Sequence, residues 1–296
     1  MSDQARLSRG AFVATAAAAC ALPSLRAFAA TAAGDSPDAV FGAIENRVGG
    51  RLGVFAFDTG SGRSIAYRAS ERFPMCSTFK SLAVAAVLAR VDAGRERLAR
   101  RVPYTHRDLL DYAPVTRAHA RQGWMTVEAL CQAAIELSDN TAANLLLVSL
   151  GGPQAVTRYA RSLGDSVTRL DRTEPSLNEY KPGELRDTTS PEAMAHDWER
   201  ILVGDALSAH SRNLLRGWLT ADKTGLDCIR AGVPKNWVGG DKTGSGDNGT
   251  RNDVAILKPP DRPPVIVAAY LTGATASSSA RNAALAEVGR IVGLTF

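Results

Sequence analysis

The chain has 296 residues, 45% of them hydrophobic and 22% charged, with a formal net charge of +5. Those proportions suit a soluble globular enzyme and exclude a disordered chain, a fibre or a bundle of membrane spans. Basic residues are scattered, with no block longer than Arg100-Arg101. The charge therefore describes a solvated surface and gives no reason to expect nucleic acid.

Arg6 and Arg9 precede an uncharged, alanine-rich stretch from Ala11 to Leu22, and Ala27-Phe28-Ala29 has the small-x-small form of a cleavage point. Residues 1–29 thus read as an export signal with no transmembrane segment, the apolar run being too short to span a bilayer. Ser8 to Val13 faintly resembles a twin-arginine signal, but Gly10 stands where the second arginine belongs. Cys20, after three alanines, leaves lipoprotein attachment as the alternative to a free periplasmic protein. Cleavage near Ala29 leaves 267 residues (296 less 29) and a net charge of +3, because Arg6, Arg9 and Arg26 depart with Asp3.

Ser36-Pro37 is a good helix start for a periodic stretch over Asp38–Val48. Leu52–Asp58 and Ser64–Tyr67 flank Thr59-Gly60-Ser61-Gly62 and read as a β-hairpin. From Ser77 to about Leu215 the pattern is mainly helical, with helices expected over Ser77–Val91, Thr126–Leu137, Thr141–Leu150, Pro153–Ser162 and Pro191–Leu202. Arg172–Asp187 has no apolar period and holds Pro175 and Pro182, so it reads as an ordered functional loop. Strands return at Trp237–Thr243, Asp253–Leu257 and Val265–Leu271, and a last helix covers Ser278–Val292. This order predicts an α/β lobe built from both chain ends (36–68 and 219–296) and an inserted all-α lobe (69–218), with a cleft between them.

Four short motifs carry chemistry. In Ser77-Thr78-Phe79-Lys80 the hydroxyl and the amine, three residues apart, share a helix face, so a desolvated lysine can activate the serine. An isolated pair of this kind is more often two polar residues on a solvated face. Here, however, the serine opens a strongly apolar helix whose first N–H groups are free. Ser138-Asp139-Asn140, between two expected helices, reads by itself as a helix cap. Glu174-Pro175-Ser176-Leu177-Asn178 places a carboxylate and an amide four residues apart, able to hold a water between them. Asp241-Lys242-Thr243-Gly244-Ser245 puts a cation, two hydroxyls and a glycine on a strand, where an anionic, carbonyl-bearing substrate can approach closely. Lys223-Thr224-Gly225 repeats part of that motif but follows a helix and precedes no strand, so it reads as a helix-ending turn. Gly244 to Gly249 spells G-x-G-x-x-G but leads into a strand, which makes it a hairpin turn and not a dinucleotide site.

Three cysteines survive cleavage, Cys76, Cys131 and Cys228, an odd and widely spaced set that suits small buried side chains better than a disulfide framework. His106, His119, His196 and His210 lack ligand spacing, so neither a metal nor another cofactor is expected.

The four motifs, in this order, resemble a class A serine β-lactamase over nearly the whole mature chain, and Tyr112 before the second motif agrees. The resemblance implies an antiparallel five-stranded sheet flanked by helices, and hydrolysis of penicillins and cephalosporins that confers antibiotic resistance. It implies Ser77 as nucleophile, with the N–H groups of Ser77 and Ser245 as oxyanion hole. Lys80 or Glu174 would be the base, the choice being open, and Ser138 the proton donor to the departing nitrogen. Lys242 would keep the local potential positive. Asn140 would bind the substrate's side-chain amide, and Glu174 with Asn178 would direct the hydrolytic water. Lys242, Thr243, Gly244, Ser245 and Arg251 would hold the substrate carboxylate, the arginine by a forked contact. Tyr112 would wall the cleft, and Arg172 with Asp187 would pin the loop.

By the same resemblance some members carry arginine where Cys228 stands, so here Arg251 must serve. Some join cysteines matching Cys76 and position 246, which here is Gly246. Val84 likewise denies Cys131 its partner, so three free thiols are expected. Cys76, Ser245 and Asp247 together resemble cefotaxime-hydrolysing members. Two alternatives remain: a D,D-peptidase, which has no use for Glu174 and Asn178, and a β-lactam sensor that stays acylated. A monomer acting on a small-molecule β-lactam is the expectation.

Overall fold

A computed structural model of the chain describes residues 36–296. The export signal expected over residues 1–29, with Cys20 and the cleavage point near Ala29, lies outside them.

Helix α1 (Pro37–Val48) is capped by Ser36, whose side chain accepts from the Ala39 N–H. The hairpin β1 (Arg51–Asp58) and β2 (Ser64–Tyr67) follows, then the two-residue strand β3 (Phe73–Pro74) and the central helix α2 (Phe79–Asp92). Strand β4 (Arg101–Pro103), helix α3 (Pro114–Ala118) and strand β5 (Trp124–Thr126) lead to α4 (Val127–Glu136), α5 (Asn140–Leu150) and α6 (Gln154–Ser162). After the loop come β6 (Thr188–Thr189), α7 (Pro191–Leu202), α8 (Ala209–Thr220) and α9 (Ile229–Gly232). The chain closes with β7 (Val238–Gly246), β8 (Thr250–Lys258), β9 (Val265–Thr272) and α10 (Ser278–Thr295).

The sheet is antiparallel and five-stranded in the order β2-β1-β9-β8-β7, so both chain ends build it, as expected. Strand β9 is buried at every position and reads as an unbroken apolar run because both faces are covered. Val265, Val267, Ala269 and Leu271 pack with Phe41 and Ile44 of α1 and with Leu285 and Val288 of α10. Ile266, Ala268 and Tyr270 face the other way, into the core that holds α2, α4, α5 and α7. Helix α2 is buried from Phe79 through Leu88, which is why its apolar residues surround it instead of forming a stripe.

Several expectations shift. The helix expected from Ser77 begins at Phe79, and Ser77 sits in a 3-10 turn over Cys76–Thr78. The pairs β3–β6 and β4–β5 and helix α8 were not singled out. The strand expected to stop at Thr243 runs to Gly246 and turns through residues 247–249 into β8, which makes the Gly244–Gly249 run the expected hairpin turn. Cys76, Cys131 and Cys228 are all buried and free.

Asp197 on α7 is almost wholly buried, and its Oδ2 has no hydrogen-bond partner. Desolvation, reinforced by Asp165 beside it, pushes this carboxyl up to about 9 against the opposing pull of Arg200 and Arg161. The folded protein therefore keeps a proton that the unfolded chain releases above pH ~4. Between about pH 4 and pH 9 the unfolded state binds fewer protons, so stability falls as pH rises across that window. Asp197→Asn should remove this slope, melting close to the parent at pH 5 and higher than it at pH 8. Thermal melts of both proteins at pH 5, 7 and 9 check this; parallel curves for the two would refute it.

Candidate active site

Ser77 in the 3-10 turn and Lys80 in the first turn of α2 are three residues apart, which sets their side chains on one face. Lys80 Nζ lies 3.0 Å from Ser77 Oγ. Cys76, just before the serine, holds a left-handed φ of 45°, an unfavourable backbone for a side chain that costs on the order of 1 kcal/mol. Edge strand β7 packs on this turn. A Cβ on Gly244 would meet Met75 O at 2.7 Å and Ser77 N at 3.2 Å, so only glycine lets the strand pass so near the serine's backbone. Being an edge, β7 has N–H groups that β8 does not use.

Ser138-Asp139-Asn140 is both things the tripeptide suggested. Asp139 caps α5 through the Ala142 N–H and also accepts from the Val115 and Thr116 N–H groups and the Thr116 hydroxyl, which locks α3 to α5. Its neighbours turn inward. Lys80 Nζ donates to Asn140 Oδ1 at 2.6 Å, to Ser138 O at 2.8 Å and to Ser138 Oγ at 3.3 Å. The Asn140 N–H reaches the carbonyl of Tyr112, whose ring stays half exposed at the rim.

Glu174 arrives from the loop. Its Oε1 accepts from Ser77 Oγ at 3.2 Å and pairs with Lys80 Nζ at 3.0 Å, and its Oε2 accepts from Asn178 Nδ2 at 2.6 Å. Asn178 Oδ1 is buried without a protein partner, free to accept a hydrogen bond from a water. Burial pushes the Lys80 ammonium below its usual range, and the Glu174 charge opposes the shift without cancelling it. Lys242 is equally buried and is lowered to about 8, chiefly by desolvation.

Asp187 holds the loop's far end. One carboxylate oxygen accepts from the Asp171 and Arg172 N–H groups at 2.8 and 2.9 Å, and the other from Arg172 Nε at 2.6 Å. A contact that sequence reasoning missed holds the loop near its start: Asn144 of α5 donates to the Glu174 carbonyl and accepts from the Glu174 N–H, at 2.9 and 3.0 Å. One helical turn beyond Asn140, its only sequence signal was that spacing on one face of α5.

These groups surround a cavity of about 310 Å³ lined by Ser77, Tyr112, Ser138, Asn140, Asn178, Thr243, Ser245 and Arg251, together with Thr224. Lys80, Glu174 and Lys242 are buried behind that lining. Thr224 corrects the reading of Lys223-Thr224-Gly225 as a mere turn, because its hydroxyl lies 2.5 Å from that of Thr243 and its carbonyl accepts from Arg251. Gly225 is likewise required by packing, since a Cβ there would strike the Asp241 carboxylate. A larger cavity, about 670 Å³, lies at the far ends of α2 and α5 among Arg90, Arg95, Arg97 and Arg100, and touches none of these residues.

A family profile described as the β-lactamase enzyme family matches residues 38–296. The chain belongs to the β-lactamase enzyme family. It is 48% identical over 295 residues to a β-lactamase of Streptomyces fradiae, covering 97% of this chain and 96% of that one. It is also 48% identical over 283 residues to β-lactamase L2 of Stenotrophomonas maltophilia, covering 93% of each. The solved structure of an ancestral class A β-lactamase superposes with a TM-score of 0.86 at 57% identity, covering 88% of this chain and all of that one. The chain is accordingly a class A serine β-lactamase, and its reaction is hydrolysis of the β-lactam amide.

The loop offers a direct test in this β-lactamase. Asp187 has a left-handed φ of 57°, which asparagine also tolerates, so Asp187→Asn removes the charge and little else. Hydrogen bonds to a charged partner contribute about 2 kcal/mol, which in a domain of this size is roughly 5 °C in Tm. The variant should lose about that much and turn over more slowly. Melting curves and steady-state rates decide it, and unchanged values in both would rule out the pinning role.

Proposed function

We propose that Ser77 attacks the lactam carbonyl and that the ester so formed is hydrolysed by a water held between Glu174 and Asn178. The observation that carries this is the placement of Ser77 Oγ between Lys80 Nζ and Glu174 Oε1, with the second Glu174 oxygen tied to Asn178. In acylation the Ser77 oxygen bonds to carbon, the ring C–N bond breaks, and the serine proton passes to Glu174 or Lys80. Ser138 delivers a proton to the departing nitrogen and is reprotonated through Lys80, which contacts both hydroxyls, by the proton that Ser77 gave up, so Glu174 is ionised again before deacylation. In deacylation a water oxygen replaces the Ser77 oxygen, Glu174 accepts the water's proton, and Ser77 is reprotonated. The backbone N–H groups of Ser77 and Ser245 stabilise the oxyanion, each donor being worth about 3 kcal/mol in such a hole.

Lys242 holds the potential of the cleft positive, and with Thr243, Gly244, Ser245 and Arg251 it receives the substrate carboxylate. Asn140 takes the side-chain amide, and Tyr112 closes the rim. The segments 36–68 and 219–296 form one wall of the cleft, and 69–218, with the loop over 172–187, forms the other. Residues 1–29 export the enzyme to the periplasm, where as a monomer it destroys incoming penicillins and cephalosporins and so protects its host.

Glu174 and Asn178 favour turnover over the two relatives in mechanism, a D,D-peptidase and a β-lactam sensor, because neither has to hydrolyse the ester that a β-lactam leaves on the serine. The test is hydrolysis of a chromogenic cephalosporin by residues 30–296 and by Glu174→Ala, with intact mass recorded for both. The parent should turn over without a lasting adduct, and the variant should gain the mass of one acyl group and stall. A lasting adduct on the parent would replace hydrolase with acceptor in this assignment.

A further inference from the structure

Arg251 on β8 stands opposite Ser245 on β7, and four of its five N–H bonds are already committed. Nε donates to Asn282 Oδ1 of α10 at 2.8 Å, and Nη1 donates to Ser245 Oγ at 2.9 Å. Nη2 spends both hydrogens on the wall of the cleft, one on Thr224 O at 3.0 Å and one on Cys228 Sγ at 3.1 Å. Cys228 is fully buried beside α9, and its sulfur also lies 3.5 Å from Asn282 Oδ1. Arginine has no acceptor, so the thiol hydrogen can go only to Asn282, and the sulfur lone pair is left to receive Nη2. Arg251, Cys228 and Asn282 thus form a closed triangle with one consistent arrangement of hydrogens. Burial and the neighbouring Asp253 push the thiol up to about 12, which keeps that hydrogen in place across the working range of pH.

Resting on the reading of Arg251 as the carboxylate anchor, we propose that Cys228 is a positioning residue that turns Nη2 away from the cleft. Arg251 then meets the substrate carboxylate through a single N–H of Nη1, with the Ser245 hydroxyl as the second donor. The forked contact that the sequence resemblance implied is replaced by one shared between a guanidinium edge and a hydroxyl. Thr224 O alone leaves one Nη2 hydrogen unsatisfied and the guanidinium free to swing about its Nε bond; the sulfur removes that freedom.

The discriminating measurement is KM and kcat for a chromogenic cephalosporin and for its C4 methyl ester, in the parent and in Cys228→Ala, Cys228→Ser and Arg251→Ala. Cys228→Ala should raise KM for the free acid about five-fold, with kcat and the ester's KM nearly unchanged, the size expected for one weak acceptor on a charged donor. Cys228→Ser should restore the parent KM, since a hydroxyl can also accept from Nη2 and donate to Asn282. Arg251→Ala should erase the preference for acid over ester. If it leaves that preference intact, the anchor reading itself fails. If Arg251→Ala erases it while Cys228→Ala does not move it, the positioning role of Cys228 is overturned. Equal changes for acid and ester in Cys228→Ala, or a serine variant no better than alanine, would likewise reduce Cys228 to packing. Thermal melts of each variant confirm that folded protein is being compared.

Discussion

A buried ammonium sets the terms for the rest of the molecule. Lys80 has no exposed surface, and an unpaired charge at such depth would cost several kcal/mol. It is held because three separate stretches of chain deliver acceptors to it: the 3-10 turn through Ser77, the start of α5 through Ser138 and Asn140, and the loop through Glu174. The start of α5 and the loop are in turn fixed by residues that do not touch the lysine. Asp139 caps α5 and ties it to α3, Asn144 grips both backbone groups of Glu174, and Asp187 closes the loop on Arg172. The same contacts that compensate the charge also line up a hydroxyl, a cation and a carboxylate within hydrogen-bond reach of one another.

What was legible in the sequence was whatever depends on near neighbours. Ser77 and Lys80, Glu174 and Asn178, and the capping residues of the α4–α5 junction act over three or four positions, so spacing alone exposes them. The five strands were visible as apolar or alternating runs, and the loop as a stretch with neither period. Thr224 and Asn252 were not, because each acts across a large sequence separation. Thr224 reaches Thr243 on another element, and Asn252 donates to the carbonyls of Pro74 and Met75, holding β8 against the chain that leads to the serine. The two-residue pairing of β3 with β6 leaves no periodicity to detect, and the 3-10 turn at Ser77 differs from a helix only in backbone detail.

The decoy at 223–225 shows why a repeated motif needs its surroundings before it is dismissed. A glycine after a helix ordinarily supplies a left-handed cap. Gly225 instead makes room for the Asp241 carboxylate, and the threonine before it completes the cavity wall and holds Arg251. Its place after α8 is legible in the sequence, but its use is not, because both partners of Thr224 come from strands that follow it in the chain.

The strand that presents Lys242 carries its own electrostatic problem. Asp241 and Asp253 are both buried, and desolvation raises both carboxyls, Asp241 the more strongly because the charges of Asp253 and Asp222 add to its own burial. Arg230, with Nε 2.5 Å from Asp241 Oδ1, opposes the shift without reversing it. The pair therefore retains a proton that two isolated carboxylates would shed. Were both fully ionised, two negative charges beside Lys242 would cancel the positive potential that it and Lys80 give the cleft. With one proton retained that cancellation is smaller, while the remaining negative charge joins Asp222, the largest opposing charge, in helping Lys242 stay protonated against its own burial. The acids beneath β7 thus balance two opposing demands: enough negative charge to keep a buried lysine charged, and too little to hide it from an anionic substrate.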